Sequence, residues 1–167
     1  MSAEWPEFRP GGLLRALVAE QVDFVVVGGL AAVVHGSAAI TRDLDITYAT
    51  DEDNLERLGR AMVILGARLR GVTDDVPFVP DGRTLRRTRI LTLATPDGSI
   101  DLLAQPDGSP SYVRLKERAW RAELAGVEVG VASLDDLIAM KKAAGRPKDL
   151  VAVEELEAIQ RLQREMD

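Results

Sequence analysis

Between Phe24 and Ile46 the chain reads FVVVGGLAAVVHGSAAITRDLDI, and few folds accommodate that order of residues. The apolar, β-branched run 24–27 predicts a central strand. Gly28 and Gly29 predict a sharp turn at which a ligand can approach the main chain closely. A small-residue helix is expected over 30–35, packed through Ala31 and Ala32, and a second strand over 42–48. Side chains alternate along a strand, so Asp43 and Asp45 project from one face while Leu44 and Ile46 make the other face apolar. Two carboxylates on one face repel each other unless a cation stands between them. Oxygen ligands at this spacing suit Mg²⁺, which is commonly held by one or two carboxylates together with substrate phosphates. A phosphate-holding glycine turn followed by an acid pair is an arrangement for nucleotide transfer.

Two acids on a solvent-facing strand are the plain alternative for Asp-x-Asp. A third acid weighs against it. Asp101 stands alone in Ile100-Asp101-Leu102-Leu103 on a later expected strand. A carboxylate flanked by buried positions needs a partner or a metal.

Composition removes several other chemistries. The chain has no cysteine, which excludes disulfides, zinc–thiolate sites and thiol catalysis, and its single histidine excludes a multi-histidine metal centre. Its 167 residues fit one domain with a real core. We read 1–167 as that domain, with 1–10 as an N-terminal arm and 133–167 as a C-terminal helical part. No apolar run approaches the roughly 20 residues of a membrane span. The start, MSAEWPEFRPGG, has neither the basic end nor the apolar centre of a secretory signal, so a cytoplasmic location without a membrane partner is expected. A net charge of −6 argues against a general nucleic-acid coat, because such binding is mostly phosphate neutralisation. Arg83, Arg86, Arg87 and Arg89 form a basic cluster. Arg87 and Arg89, alternating on an expected strand, would either meet triphosphate or an RNA backbone or protect an edge strand by charge.

Periodicity supplies the remaining elements. After Gly11-Gly12 a short helix is expected with Leu13, Leu14, Leu17 and Val18 on one face. A helix over 51–65 starts at Asp51 as cap and carries Leu55, Leu58, Met62 and Leu65. The stretch 71–82 reads as a loop. Strands 90–94 and 99–103 flank a hairpin turn at Asp97-Gly98, 112–118 is helical, and strands 122–124 and 127–131 bracket Ala125-Gly126. Ser133 caps a helix, with Asp136 completing a capping box. That helix ends at Gly145. Pro147 opens the last helix, with Leu150, Val153, Leu156, Ile159 and Leu162 on one stripe.

The motifs Gly28-Gly29, Asp43-x-Asp45 and Asp101 resemble those of the nucleotidyltransferase-fold superfamily related to DNA polymerase β. The resemblance extends to its minimal nucleotidyltransferase and AbiEii-type toxin branch through Leu137-Ile138-Ala139-Met140-Lys141 and Gly145-Arg146-Pro147-Lys148-Asp149. It implies an α/β (α+β) fold, a mixed central sheet flanked by helices with further helices at the C-terminus. It also implies an enzyme that moves a nucleoside monophosphate from an NTP to an acceptor hydroxyl. The acceptor would be RNA, such as a tRNA end, or a protein, with a small molecule such as an aminoglycoside as the third option. A role in a toxin–antitoxin pair, with a cognate antitoxin or toxin as partner, is also implied.

In that reading Asp43, Asp45 and Asp101 are the catalytic residues and hold two Mg²⁺ ions. Gly28 and Gly29 present backbone donors to the phosphates, and Lys141 and Arg146 contact the nucleotide. Many members have serine where this chain has Gly29, which leaves only a backbone N–H there, so Ser37 is expected to supplement it, with Thr41 and Arg42 orienting a phosphate. Lys141 otherwise reaches solvent along its own stem. Arg146, Lys148 and Asp149 otherwise form an ion-pair network at a helix junction. His35 reads as a structural hydrogen-bonder, and Trp5 and Trp120 as packing residues. A rival reading of another class is a catalytically inactive nucleotide- or partner-binding module of the same fold.

Overall fold

The computed structural model describes residues 7–71 and 80–167. The described residues form a mixed seven-stranded sheet in the order β3-β4-β5-β2-β1-β7-β6. Its strands are β1 (Phe24–Val27), β2 (Asp43–Tyr48), β3 (Arg68–Leu69), β4 (Ile90–Thr95), β5 (Gly98–Leu103), β6 (Trp120–Leu124) and β7 (Val127–Val131). The helices are α1 (Pro10–Ala19), α2 (Gly28–His35), α3 (Glu52–Ile64), α4 (Gly82–Arg87), α5 (Tyr112–Arg118), α6 (Leu134–Ala144) and α7 (Pro147–Met166).

The centre of the sheet explains the chemistry at its surface. β2 pairs antiparallel with β1 and parallel with β5. Along β2, Leu44, Ile46 and Tyr48 are buried, and in β5 Ile100 and Leu102 are fully buried beside them. Helices α1 and α3 pack on each other, and they bring Leu13, Leu14, Leu17, Leu55, Leu58 and Met62 to the same solvent-free core. Fully burying a leucine contributes about 1.5–3 kcal/mol. This core holds the strand register firmly, since a one-residue slip would send the leucines to the solvent face. The intervening residues, Asp43, Asp45 and Asp101, are thereby fixed on the opposite face.

Local signals start and stop the helices as expected. Asp51 caps α3 by accepting from the Asn54 N–H at 3.1 Å, Gly145 ends α6 in the left-handed region at φ 67°, and Pro147 opens α7. Ala125 and Gly126, both at positive φ, turn β6 into β7.

Several expectations are corrected. The helix after the diglycine begins at Gly28 rather than Leu30. Val18 turns outward from α1 and is 42% exposed. Gly82 lies inside a helix capped by Asp81; the 72–79 part of the expected loop lies outside the described residues, as does Trp5. Arg87 ends α4 and Arg89 lies between α4 and β4, so the two do not alternate on a strand. Ser133 accepts from the Asp136 N–H at 3.2 Å, but the Asp136 carboxylate pairs with Arg118 at 3.4 Å instead of closing a capping box. On α7 the stripe is buried at Val153 and Leu156, while Leu150 (51%) and Leu162 (59%) are exposed. Among the described residues, no helix is long and apolar enough to cross a membrane.

Candidate active site

The parallel pairing of β2 with β5 sets Asp45 directly across from Asp101. Thr92 of β4 faces Asp101 in turn, and the Arg70 N–H donates to the Thr92 carbonyl at 3.1 Å. Residues opposite one another in register share a face. A polar row, Asp45–Asp101–Thr92–Arg70, therefore crosses three strands and ends just past the fourth, β3, with Asp43 one step along β2.

Charge is unbalanced in this row. Burial pushes the Asp45 carboxyl up to about 7, helped by the facing Asp101 and by Asp43, while the Lys141 ammonium opposes the rise. Burial also raises Asp101, assisted by Asp43 and countered by its contact with Asp45 and by Arg70. Asp45 Oδ1 and Asp101 Oδ1 are both buried without a hydrogen-bond partner among the described residues. Buried polar atoms are ordinarily paired, so these two oxygens fit a hard divalent cation, which needs oxygen donors and supplies the missing positive charge.

Asp43 stands apart from that pair. The Arg70 guanidinium lies 3.5 Å from Asp43 Oδ1 and 3.3 Å from Asp101 Oδ1. Among the described residues, no three His, Cys, Asp or Glu side chains are gathered to hold one metal ion. The expected three-carboxylate cage is thus opened, with a guanidinium between two of its members.

The glycines are explained by close approach. Gly28 has φ +68°, and a Cβ there would lie 2.0 Å from Asp45 Oδ2. Gly28→Ala is expected to cost about 1–2 kcal/mol in left-handed strain alone and to displace the Asp45 carboxylate; urea denaturation checks the loss. A Cβ on Gly29 would lie 2.9 Å from Thr41 Oγ1. That hydroxyl, which donates to the Asp43 carbonyl at 3.2 Å, occupies the space a serine at 29 would need. The N-cap residue of α2, Val27, makes no side-chain cap hydrogen bond, so the helix start, set beside the Asp45 carboxylate, is of the kind that suits an anion.

Gly28 and Asp45 open on a cavity of about 460 Å³, whose wall includes Val27, Leu103, Leu137, Met140, Lys141, Arg146 and Asp149. Lys141 Nζ is 3.4 Å from Asp149 Oδ1, and Arg146 Nε donates to Asp149 Oδ2 at 2.7 Å. The Arg146 bond, chiefly, holds the Asp149 carboxyl down to about 2. The buried Asp149 thus ties together the two cations at the cavity wall.

Two expected nucleotide contacts are not brought here. Ser37 donates to Glu155 of α7 and is buried against it, away from the cavity wall. Arg42 is exposed and does not line the cavity. Of the basic cluster, Arg89 reaches the cavity, whereas Arg83, Arg86 and Arg87 lie on α4. His35 is buried, donates through Nε2 to the Ala132 carbonyl at 2.8 Å and stands edge-on to Trp120 with ring centroids 4.3 Å apart. Sequence reasoning missed Arg70 and Gln105, which also lines the cavity; neither sits in a pattern that marks it.

No family model matches the sequence, and no curated protein matches it. Solved structures do resemble it. The antibiotic-resistance factor ANT(2'')-Ia superposes with a TM-score of 0.54 at 14% identity, covering 94% of this chain and 92% of its own. The same protein in complex with adenylyl-2''-tobramycin gives 0.52 at 15% identity, covering 93% and 94%. TM1012 of Thermotoga maritima, a nucleotidyltransferase candidate, gives 0.51 at 19% identity, covering 95% and 96%. At these identities the likeness concerns the fold, and the chain has the nucleotidyltransferase fold.

Proposed function

We propose that the chain is a metal-dependent nucleotidyltransferase that moves a nucleoside monophosphate from an NTP to an acceptor hydroxyl. The observation that carries this reading is the Asp45–Asp101 pair, two half-buried carboxylates side by side, each with a buried oxygen that no hydrogen bond satisfies among the described residues, beside a helix N-terminus whose cap residue, Val27, offers no side-chain hydrogen bond. Asp45 and Asp101 would hold Mg²⁺, with Asp43 as a further ligand. When bound there, the ion neutralises triphosphate oxygens and lowers the pKa of the acceptor hydroxyl. The backbone N–H groups that open α2 bind phosphate oxygens, helped by the helix dipole. Lys141 and Arg146 stand at the cavity wall, where they hold the anionic leaving group. The acceptor oxygen attacks the α-phosphorus, the bond to pyrophosphate breaks, and the hydroxyl proton passes to a carboxylate of the pair. Thr41 Oγ1, lying where a serine at 29 would reach, supplies a hydroxyl in place of the one that Gly29 lacks.

RNA or a protein is the acceptor we favour, and the motifs around Lys141 and Arg146 support a place in the AbiEii-type branch with a toxin–antitoxin role. The likeness to ANT(2'')-Ia, known bound to adenylyl-2''-tobramycin, keeps an aminoglycoside as the rival acceptor. The second reading, an inactive binding module, is favoured by the guanidinium standing between Asp43 and Asp101. The test incubates each α-labelled NTP and Mg²⁺ with total RNA, lysate protein or an aminoglycoside panel. Label on one acceptor class, reduced about a thousandfold or more in Asp101→Asn, supports the enzyme. Tight nucleotide binding without transfer from any of the four NTPs supports the module.

A further inference from the structure

Arg70 lies just beyond β3, at the edge of the sheet, yet its side chain crosses the sheet face to the acids. We propose that Arg70 is a resident counter-ion that occupies the cation place between Asp43 and Asp101 and yields it to a divalent ion. This rests on the reading of the acid row as a cation site. Three features carry it. The guanidinium stands 3.5 Å from one carboxylate and 3.3 Å from the other. Both distances exceed the 2.7–2.9 Å or so of a tight charge-assisted hydrogen bond, so the contact is electrostatic and loose. The Arg70 side chain is 37% exposed and the Asp43 side chain 45%, so water and ions reach the pair. Finally, the three acids are not gathered into a cage, and the group standing between two of them is this one.

The single guanidinium charge cannot balance both of the carboxylates it touches, whereas a divalent ion carries twice the charge and accepts several oxygens at short range. Ion and guanidinium compete for the same oxygens. Whatever binds Arg70 better in its released position must then favour the ion, by reciprocity of linkage. An anionic substrate is such a ligand, because a guanidinium freed from Asp43 and Asp101 faces the same open sheet surface and can pair with phosphate. Arg70 is therefore a positioning residue that couples metal loading to binding of a phosphorylated substrate.

The test titrates Mn²⁺ into metal-free protein and follows free Mn²⁺ by electron paramagnetic resonance, without and with a non-hydrolysable NTP. Arg70→Ala and Arg70→Gln are expected to bind Mn²⁺ about tenfold more tightly, or to take up one more ion, than the wild type. Arg70→Lys is expected to stay near wild type. The same Ala and Gln variants are expected to bind the Mn²⁺–NTP complex more weakly, so the two affinities move in opposite directions, which loss of a merely structural contact would not produce. The glutamine variant, nearly isosteric, guards against loss of folding in the alanine variant, and circular dichroism verifies both. Equal Mn²⁺ affinity and stoichiometry in wild type and variants would overturn the role of Arg70 and leave the transferase reading standing. Failure of wild type and variants alike to bind Mn²⁺ at millimolar concentration would overturn the cation site itself, and both readings with it.

Discussion

Asparagine at position 45 is expected to stabilise the metal-free protein at pH 8 while abolishing transfer. The stability gain follows from the raised Asp45 carboxyl, which burial and the neighbouring acids push up to about 7. Below about pH 4 the folded and unfolded chains both carry this proton, and pH has no purchase on their balance. As pH rises toward 7, the unfolded chain has released the proton and the folded chain retains it. Stability therefore falls across this window, by up to about 1.4 kcal/mol per pH unit. Asp101 shares the titration and Lys141 opposes it, so a net penalty of about 2 kcal/mol at pH 8 is a reasonable expectation. Asparagine keeps the shape and removes the charge. Its melting temperature should exceed that of wild type by about 4–8 °C at pH 8 in EDTA, and by little at pH 4. Excess Mg²⁺ should erase the difference by stabilising only the wild type. Transfer should meanwhile drop about a thousandfold, because the neutral amide is a poor ligand for the ion. A gain of equal size at pH 4 and pH 8 would show that repacking, not charge, is responsible.

The placement of these acids was legible in the sequence where local rules govern it. The period of two put Asp43 and Asp45 on one face, and a single acid in the apolar run 100–103 marked Asp101. Which acid meets which was not legible. That depends on the parallel register of β2 with β5, which sets Asp45 against a residue 56 positions later, and the register is fixed by the nonlocal packing of Leu44, Ile46, Ile100 and Leu102. Arg70 gave no signal because β3 is two residues long and a charged residue on so short an edge looks like any surface arginine. The basic cluster misled because alternation at 87 and 89 mimics a strand, while the Asp81 cap, whose carboxylate accepts from the Thr84 N–H at 2.8 Å, starts a helix upstream. Ser37 misled through its nearness to the glycines. Its hydroxyl is taken by Glu155, 118 residues away, a partner that local sequence cannot reveal. At Gly29 the sequence could not show what surrounds the missing side chain: a Cβ there would come within 2.9 Å of Thr41 Oγ1, a neighbour twelve residues later.

The junction of α6 and α7 is expected to control nucleotide affinity through Asp149 without this residue touching the reaction. Asp149 is fully buried, accepts from the Arg146 backbone N–H at 3.2 Å and from Arg146 Nε at 2.7 Å, and stands 3.4 Å from Lys141 Nζ. It thus caps α7 and sets the direction of two cations at the cavity wall. Asp149→Ala removes the cap and leaves both cations free to rotate into solvent. The KM for NTP should then rise about tenfold or more, because a charge-assisted contact to phosphate is lost only when its donor is no longer held in place. The kcat should change much less, since the Asp45–Asp101 pair belongs to the sheet and not to this junction. Asp149→Asn keeps a side chain able to accept from the backbone N–H, so it should retain most of the thermal stability while still weakening the hold on Lys141 and Arg146. Stability in wild type should also fall as pH drops toward 2, because the Asp149 carboxyl is lowered in the folded chain and its contribution is present only while it is ionised. Steady-state kinetics of the two variants separate the alternatives. A fall in kcat with unchanged KM would make Asp149 part of the chemistry, whereas the expected split assigns it to holding the helices that present Lys141 and Arg146 to the substrate.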